Sequence, residues 1–277
     1  SFRDGFPATV SSFYRRQHRW VRGDWQNFAW VLPHVPSGEG AEQNPISAVS
    51  RWKLADNLRR SLTPVVQMVC LLWGAAAGDG FGWLGWIALA SVALDPILAY
   101  VFDIIPRRSL RRFHSRIQTG LRGMVLGIGV RLALLPLEGW INLTAICTAL
   151  WRSLISHKNL LQWTTSAQQS AVGGGPLPTC LPILAVGLGT AAVTRRPAAL
   201  LLALLWLFSP VIVTCLERRP PKARLHSAER AFLLHEAELI WGFFDDFLQP
   251  ERNYLPPDNF QLRPYQGPAE RTSPTNI

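Results

Sequence analysis

The sequence reads as an all-α membrane protein segment, with transmembrane helical hairpins joined by amphipathic interfacial helices. Three observations lead there. Of its 277 residues 48% are hydrophobic and only 17% charged. The apolar residues fall in runs able to cross a hydrocarbon core of about 30 Å. Arginines and many of the 12 tryptophans flank those runs, as basic and aromatic residues do at a membrane interface. The formal charge of +10 therefore points to membrane lipid as a partner. With no zinc-finger spacing, KH-type glycine loop or RNP aromatic motif, the sequence predicts no nucleic acid partner.

Residues 1–34 open with a short irregular lead containing Gly5 and Pro7, then a helix to about Val31. Within it, residues 14–26 hold four arginines, His18, Trp20 and Trp25. On a helix Arg15, Arg19, Arg22 and Gln26 share one face, and Tyr14, His18, Val21 and Trp25 the next. Pro33 and Pro36 end the helix, and a polar loop reaches Pro45. Residues 46–62 form an amphipathic interfacial helix, with Trp52, Ala55, Leu58 and Leu62 on one side and Arg51, Arg59 and Arg60 elsewhere.

Residues 63–105 read as a transmembrane hairpin broken by the glycines of 78–82. The small residues Gly74 and Gly78, four apart, suit close helix packing. Asp95, just before Pro96, needs a partner or a wet cavity inside such a span. Residues 106–163 begin with a basic loop. Residues 123–150 are apolar but contain Arg131, Pro136 and Glu138, with arginine on both sides. They are expected to form interfacial or re-entrant helices broken near Pro136. Asn142 and Thr144 match a glycosylation sequon by chance.

After a Gly/Pro linker, residues 178–216 form a second hairpin, whose Arg195 and Arg196 breach the positive-inside rule in a small way. An even number of spans places both ends in the cytoplasm. A single crossing by residues 123–150 would reverse that parity. Residues 225–277 have the composition of a soluble domain. Leu233, Ala237, Ile240, Phe244 and Phe247 recur at helical spacing there and predict packing against a partner surface. Cys70, Cys147, Cys180 and Cys215 lie in apolar stretches and read as buried reduced thiols. No histidine pair has metal-ligand spacing, so no metal is expected within these residues.

Two readings of residues 14–26 follow from residue type. Guanidinium groups grip phosphate oxygens and indole rings stack on sugars, which suits a nucleotide-sugar donor and a carbohydrate acceptor. Arginines toward anionic head groups with tryptophans at the interface describe a plain lipid-binding helix, and on residue types alone this is the commoner case.

A resemblance favours the first. Arg16-x-x-Arg19-Trp20 looks like the (Gln/Arg)-x-x-Arg-Trp signature of processive, membrane-bound glycosyltransferases. The longer string RRQHRWVRGDWQ over residues 15–26 resembles the cyclic β-1,2-glucan synthase family of the bacterial inner membrane. Similar stretches recur around Arg51, over residues 56–62 and 151–163, and near residues 255–260 and 271–276. The resemblance implies a transferase that polymerises glucose from UDP-glucose. It assigns Arg19 to the donor pyrophosphate with Arg16 supporting, and Trp20 to the acceptor end of the glucan.

The resemblance also places a divalent metal, Mg or Mn, and the catalytic acid in a domain upstream of Ser1. Residues 1–34 would be the end of that glucosyltransferase domain, and residues 225–277 the start of a cytosolic glycoside-hydrolase-like domain in which Asp258 and Asn259 line a sugar cleft. Chain ends without an initiating Met or a terminating element fit an internal, inactive piece of such an enzyme. Two alternatives stand beside it: another processive polysaccharide synthase, and a non-catalytic membrane anchor or transport module.

Overall fold

The computed structural model describes residues 9–37, 40–77, 81–104, 110–160, 175–218 and 225–272. The lead before Thr9, the first residues of the basic loop, most of the Gly/Pro linker and the last five residues lie outside these. The chain divides into two units, residues 1–218 and 219–277.

The first unit is a helix bundle. Helix α1 (Val10–Gln26) starts at Thr9, whose hydroxyl accepts from the Ser12 N–H at 3.1 Å while the Ser12 hydroxyl accepts from the Thr9 N–H at 3.2 Å. A single 3-10 turn, Phe28–Val31, follows. The polar loop expected next is instead a hairpin. Strand β1 (His34–Ser37) pairs antiparallel with β2 (Gly40–Gln43), Val35 opposite Glu42. Gly40, at φ 128°, takes a backbone conformation that side chains resist, which lets the chain reverse within so few residues.

Helix α2 (Ala48–Ala76) is capped by Ser47 and runs without interruption through Pro64. The expected interfacial helix and the first arm of the hairpin are thus one rod. It packs against α3 (Trp83–Ile104) at a glycine contact. A Cβ on Gly74 would collide with the Phe81 carbonyl oxygen and lie 2.9 Å from the Gly85 Cα. That contact realises the close packing read from Gly74, whereas Gly78, the other member of that pair, lies outside the described residues.

Helix α4 (Leu110–Trp151) has 42 residues, and its π-helical extension Arg152–Ser156 ends at His157, which is left-handed at φ 51°. The break expected near Pro136 is absent. Proline lacks the N–H that would bond the carbonyl four residues earlier, here Leu132. The Trp206 indole N–H donates to that Leu132 carbonyl at 2.9 Å, so tertiary packing replaces the missing bond and the helix continues. At 1.5 Å per residue α4 is about 60 Å long, roughly twice a bilayer core.

Asp95 finds the partner it required, since Arg131 of α4 lies 3.6 Å away.

Helices α5 (Pro176–Val193), α6 (Pro197–Leu207) and α7 (Ser209–Leu216) complete the bundle, α6 and α7 bent by 48° at Phe208. Among the described residues three helices, α3, α4 and α5, are long and apolar enough to cross a membrane, or four if α6 and α7 count as one span. Leu71, Ile183, Trp206 and Val213 are fully buried between the helices. The arginine pair between α5 and α6 has a structural use. Arg196 Nη1 donates to the carbonyls of Gly74 and Ala75, at 3.2 and 3.4 Å, at the negative end of α2. The thiols differ from expectation: Cys180 is buried, Cys70 partly so, but Cys147 and Cys215 face outward on α4 and α7.

In the second unit α8 (Ser227–Phe247) is capped by His226, whose N–H donates to Glu229 Oε2 at 2.8 Å. A short hairpin follows, β3 (Phe260–Gln261) with β4 (Gly267–Pro268). Phe243, Phe247, Phe260 and Tyr265 form a chain of rings with centroids 5.0, 5.5 and 6.0 Å apart. No residue of α8 is buried.

Candidate functional site

The site grows from how α1 is held. Tyr14 and Val21 are buried, and Val21 and Trp25 pack on Ala145, Ile146 and Leu150 of α4. These positions form a helical stripe, which explains why this face of an otherwise basic helix turns inward. Gln17 extends the stripe with polar contacts, its Nε2 donating to Glu138 Oε1 at 3.2 Å and to Asn142 Oδ1 at 3.0 Å. Asn142 is 1% exposed and passes the chain on, donating to the Ser61 carbonyl of α2 at 2.9 Å. The Trp25 indole donates to the Ser61 hydroxyl at 2.8 Å. Ser61 therefore ties α1 and α4 to α2 at one point. Because Asn142 is engaged and buried, its sequon has no glycan to offer.

Both ends of α1 are fastened as well. The Val10 N–H donates to Glu217 Oε1 at 2.8 Å, an acid at the positive end of the helix. Gln26 Nε2 donates to the Leu160 carbonyl at 2.9 Å, and Arg51 Nε and Nη2 hold the Val31 carbonyl at 3.1 and 3.0 Å. A helix fixed at its ends and middle presents its outer side chains in set positions.

The three residues read from the signature differ in exposure. Arg19 is buried, 8% exposed, whereas Trp20 beside it is 55% exposed. The Arg16 guanidinium lies over the Trp20 ring at 4.8 Å and near Phe13 at 5.8 Å, so Arg16 braces the indole. Burial pushes the His18 pKa down, and the charges of Arg22 and Arg152 push it further the same way. Arg22 is lowered too, by burial and then by Arg152 and Arg19. Arginines from α1 and from the end of α4 thus stand close together on one side of the helix.

The other side is different. Trp20 rims an open groove of about 440 Å³ whose remaining lining is Gln17, Val21 and Asp24 of α1, Asn57, Arg60 and Ser61 of α2, and Glu138 and Asn142 of α4. Asn57 Nδ2 donates to Asp24 Oδ1 at 3.4 Å. Burial raises the Asp24 pKa, which the Asn57 bond and the Arg60 charge oppose. Arg60 is itself committed to Asp56, 3.3 Å away, and to Asn57 Oδ1. Gln17, Val21 and Asp24 fall inside the signature string and Asn57, Arg60 and Ser61 inside the similar stretch over residues 56–62, whereas Glu138 and Asn142 carry no part of the resemblance. Glu138, a charge interrupting an apolar run, is the signal that could have found them.

In the second unit Asn259 lines an open polar groove of about 600 Å³ with Gln261, Gln266 and Glu270. Asp258 does not line it. Its carboxylate pairs with Arg271 Nη2 at 3.4 Å and its N–H donates to the Arg271 carbonyl at 2.8 Å. Among the described residues no three His, Cys, Asp or Glu side chains converge on a metal-sized site.

Fold and site together define a helical membrane protein with a fixed Arg-Trp helix and a polar groove beside its candidate spans. No protein-family model matches the chain. It is 31% identical over 292 aligned residues to cyclic beta-(1,2)-glucan synthase NdvB of Rhizobium meliloti (strain 1021), across 99% of this chain and 10% of that protein. The resemblance carried by Arg16, Arg19 and Trp20 therefore extends along nearly the whole chain, which is related to the cyclic β-(1,2)-glucan synthases. The chain spans about a tenth of that relative's length.

Proposed function

We propose that this chain is the membrane portion of a glucosyltransferase that polymerises glucose from UDP-glucose into a β-1,2-glucan in a bacterial inner membrane. The observation that carries this reading is the pairing of a buried Arg19 with an exposed, Arg16-braced Trp20 on one fixed helix. Arg19 holds the diphosphate of the donor, where low water access strengthens a guanidinium-phosphate contact and stabilises the leaving UDP. Trp20 stacks on the acceptor sugar and sets its hydroxyl toward the donor carbon. Arg16 supports both by neighbouring charge and by fixing the indole. The metal, Mg or Mn, and the general base belong to residues beyond these 277, and Asp258 and Asn259 to a sugar cleft continued elsewhere. Counting α3, α4, α5 and the bent α6–α7 pair as four spans, an even number, assigns both ends of the chain to the cytoplasm, the side of the donor.

The test uses membranes holding the intact reading frame, supplied with labelled UDP-glucose and followed by linkage analysis. A β-1,2-linked product that vanishes in Arg19→Ala and in Trp20→Ala supports the reading. Synthesis undiminished in both variants would return α1 to a lipid-binding helix, and a different linkage would move the chain to another polysaccharide synthase.

A further inference from the structure

We infer that the cavity between the start of α1, the middle of α4 and the end of α7 is a binding site for one membrane phospholipid with a primary ammonium head group, of the phosphatidylethanolamine class. This goes beyond the glucosyltransferase reading and needs only that the bundle sits in a bilayer. The cavity is open, about 460 Å³ in volume, and neither Arg19 nor Trp20 lines it. Glu138 is the wall it shares with the groove beside Trp20. Most of its lining is apolar. Val10 and Phe13 of α1, Val130 and Leu134 of α4 and Leu216 of α7 contribute, and Phe13 and Leu216 are left exposed. An acyl chain laid along them covers that surface. Leu216 ends the bent α6–α7 pair and α4 is itself a candidate span, whereas α1 is not among the candidate spans. The cavity therefore stands where a span meets the membrane surface, at head-group depth, and on the span count above that surface is the cytoplasmic leaflet.

Charge selects the head group. Among the described residues the lining carries two carboxylates, Glu138 and Glu217, and one guanidinium, Arg131. Arg131 and Glu138 share one face of α4, about 10 Å apart along its axis. Glu217 Oε1 accepts from the Val10 N–H at 2.8 Å, and Glu138 Oε1 from Gln17 at 3.2 Å. An ionised carboxylate has about four acceptor positions on two oxygens, so both acids retain capacity for an ammonium. Arg131 reaches Asp95 through Nη1 at 3.6 Å, and its fork has further N–H groups for a phosphate. With two acids against one base, the cavity repels a head group that is only negative. A zwitterion satisfies both signs, its phosphate at Arg131 and its ammonium between Glu138 and Glu217. A primary ammonium donates three hydrogen bonds and a quaternary one none, so the carboxylates favour the former. The chain as a whole, at a formal charge of +10, favours anionic lipid, and the cavity runs against that trend. A lipid seated here touches α1, α4 and α7 at once and braces the start of the helix that carries Arg19 and Trp20.

The test uses the intact reading frame purified in detergent and offered phosphatidylethanolamine, phosphatidylcholine and phosphatidylglycerol with identical acyl chains, retained lipid being counted by native mass spectrometry. One phosphatidylethanolamine per chain is expected, held about tenfold more tightly than either of the others, the worth of one charge-assisted hydrogen bond. Glu217→Gln, which still accepts from the Val10 N–H, and Arg131→Gln should each lose that preference, while Glu238→Gln, exposed on α8, keeps it. Arg131→Lys keeps a cation beside Asp95 and should keep the preference, which separates a lost phosphate contact from a damaged bundle. No retained lipid, equal retention of the three, a preference for phosphatidylglycerol, a preference shared by phosphatidylcholine, or a wild-type preference in both Glu217→Gln and Arg131→Gln would overturn the assignment. None of these outcomes bears on glucan synthesis, which is read separately with labelled UDP-glucose.

Discussion

Helices α1 and α8 both carry apolar residues at helical spacing, yet only one of them is enclosed. In α1, 17 residues long, Tyr14, Arg19 and Val21 are buried against α4 and its neighbours, and an arginine is carried inside with them. In α8, 21 residues long, none is buried, and Leu233, Ile240 and Trp241 are exposed. Spacing creates a face, but only a neighbour of matching shape and polarity turns that face into stability. The basic helix, the less promising of the two by composition, is the one the fold encloses.

The sharpest way to break this comparison is through synthesis. Arg19→Ala or Trp20→Ala should lower glucan production by about a hundredfold or more, the loss expected when a fixed transition-state contact is removed, measured in membranes with labelled UDP-glucose. A loss of that size from Leu233→Ser in α8 would instead make the exposed helix the functional one.

Stability gives the next contrast. Asn142→Leu removes one of the two acceptors of the Gln17 amide and the donor to the Ser61 carbonyl, leaving one Gln17 amide hydrogen without an acceptor. A cost of about 1–3 kcal/mol per unpaired group is expected, read as a lower thermal unfolding midpoint in detergent. Trp206→Phe keeps most of the ring volume but strips the Leu132 carbonyl of its donor. It should cost about 1–3 kcal/mol and bend α4 at Pro136, visible as a changed distance between spin labels placed on either side. A straight α4 in that variant would show that packing alone holds the helix.

The smallest effects concern pH and α8. The folded state holds His18 at a lowered pKa, so between that value and the ordinary histidine range the unfolded chain binds the proton more readily. Stability contributed by neutral His18 is present above the unfolded pKa and declines as pH falls through the window below it. His18→Gln should flatten that part of the curve of unfolding midpoint against pH. Leu233→Ser, on the open face of α8, should shift the midpoint of this chain by no more than about 0.5 kcal/mol equivalent. A larger destabilisation would mean that α8 is covered in solution.

Much of this was legible in the residues. The helices, the Gly74 contact and the need of Asp95 for a partner follow from hydropathy, residue size and the cost of a lone charge. The Arg-Trp string pointed to the relative that the whole chain resembles. Pro136 misled because a proline is read locally as a break. At Pro136 the carbonyl it orphans takes a donor from a distant residue, Trp206, 70 residues further along the chain. The groove escaped for a similar reason: Asp24 and Asn57 lie in stretches that carry the resemblance and Asn142 in an apolar run, but only the meeting of three helices makes them one lining.

The sequence by itself determined that the chain is helical, apolar and basic at its flanks, and which helix carries the arginines and Trp20, because periodicity and composition are local properties. The tertiary structure decided that α4 runs unbroken through Pro136, that Arg196 closes the end of α2, and that one side of α1 gathers arginines while the other gathers acids and amides. Each of these depends on hydrogen bonds and charges brought together from distant parts of the chain. Such pairings become readable only when the backbone has placed their partners within reach.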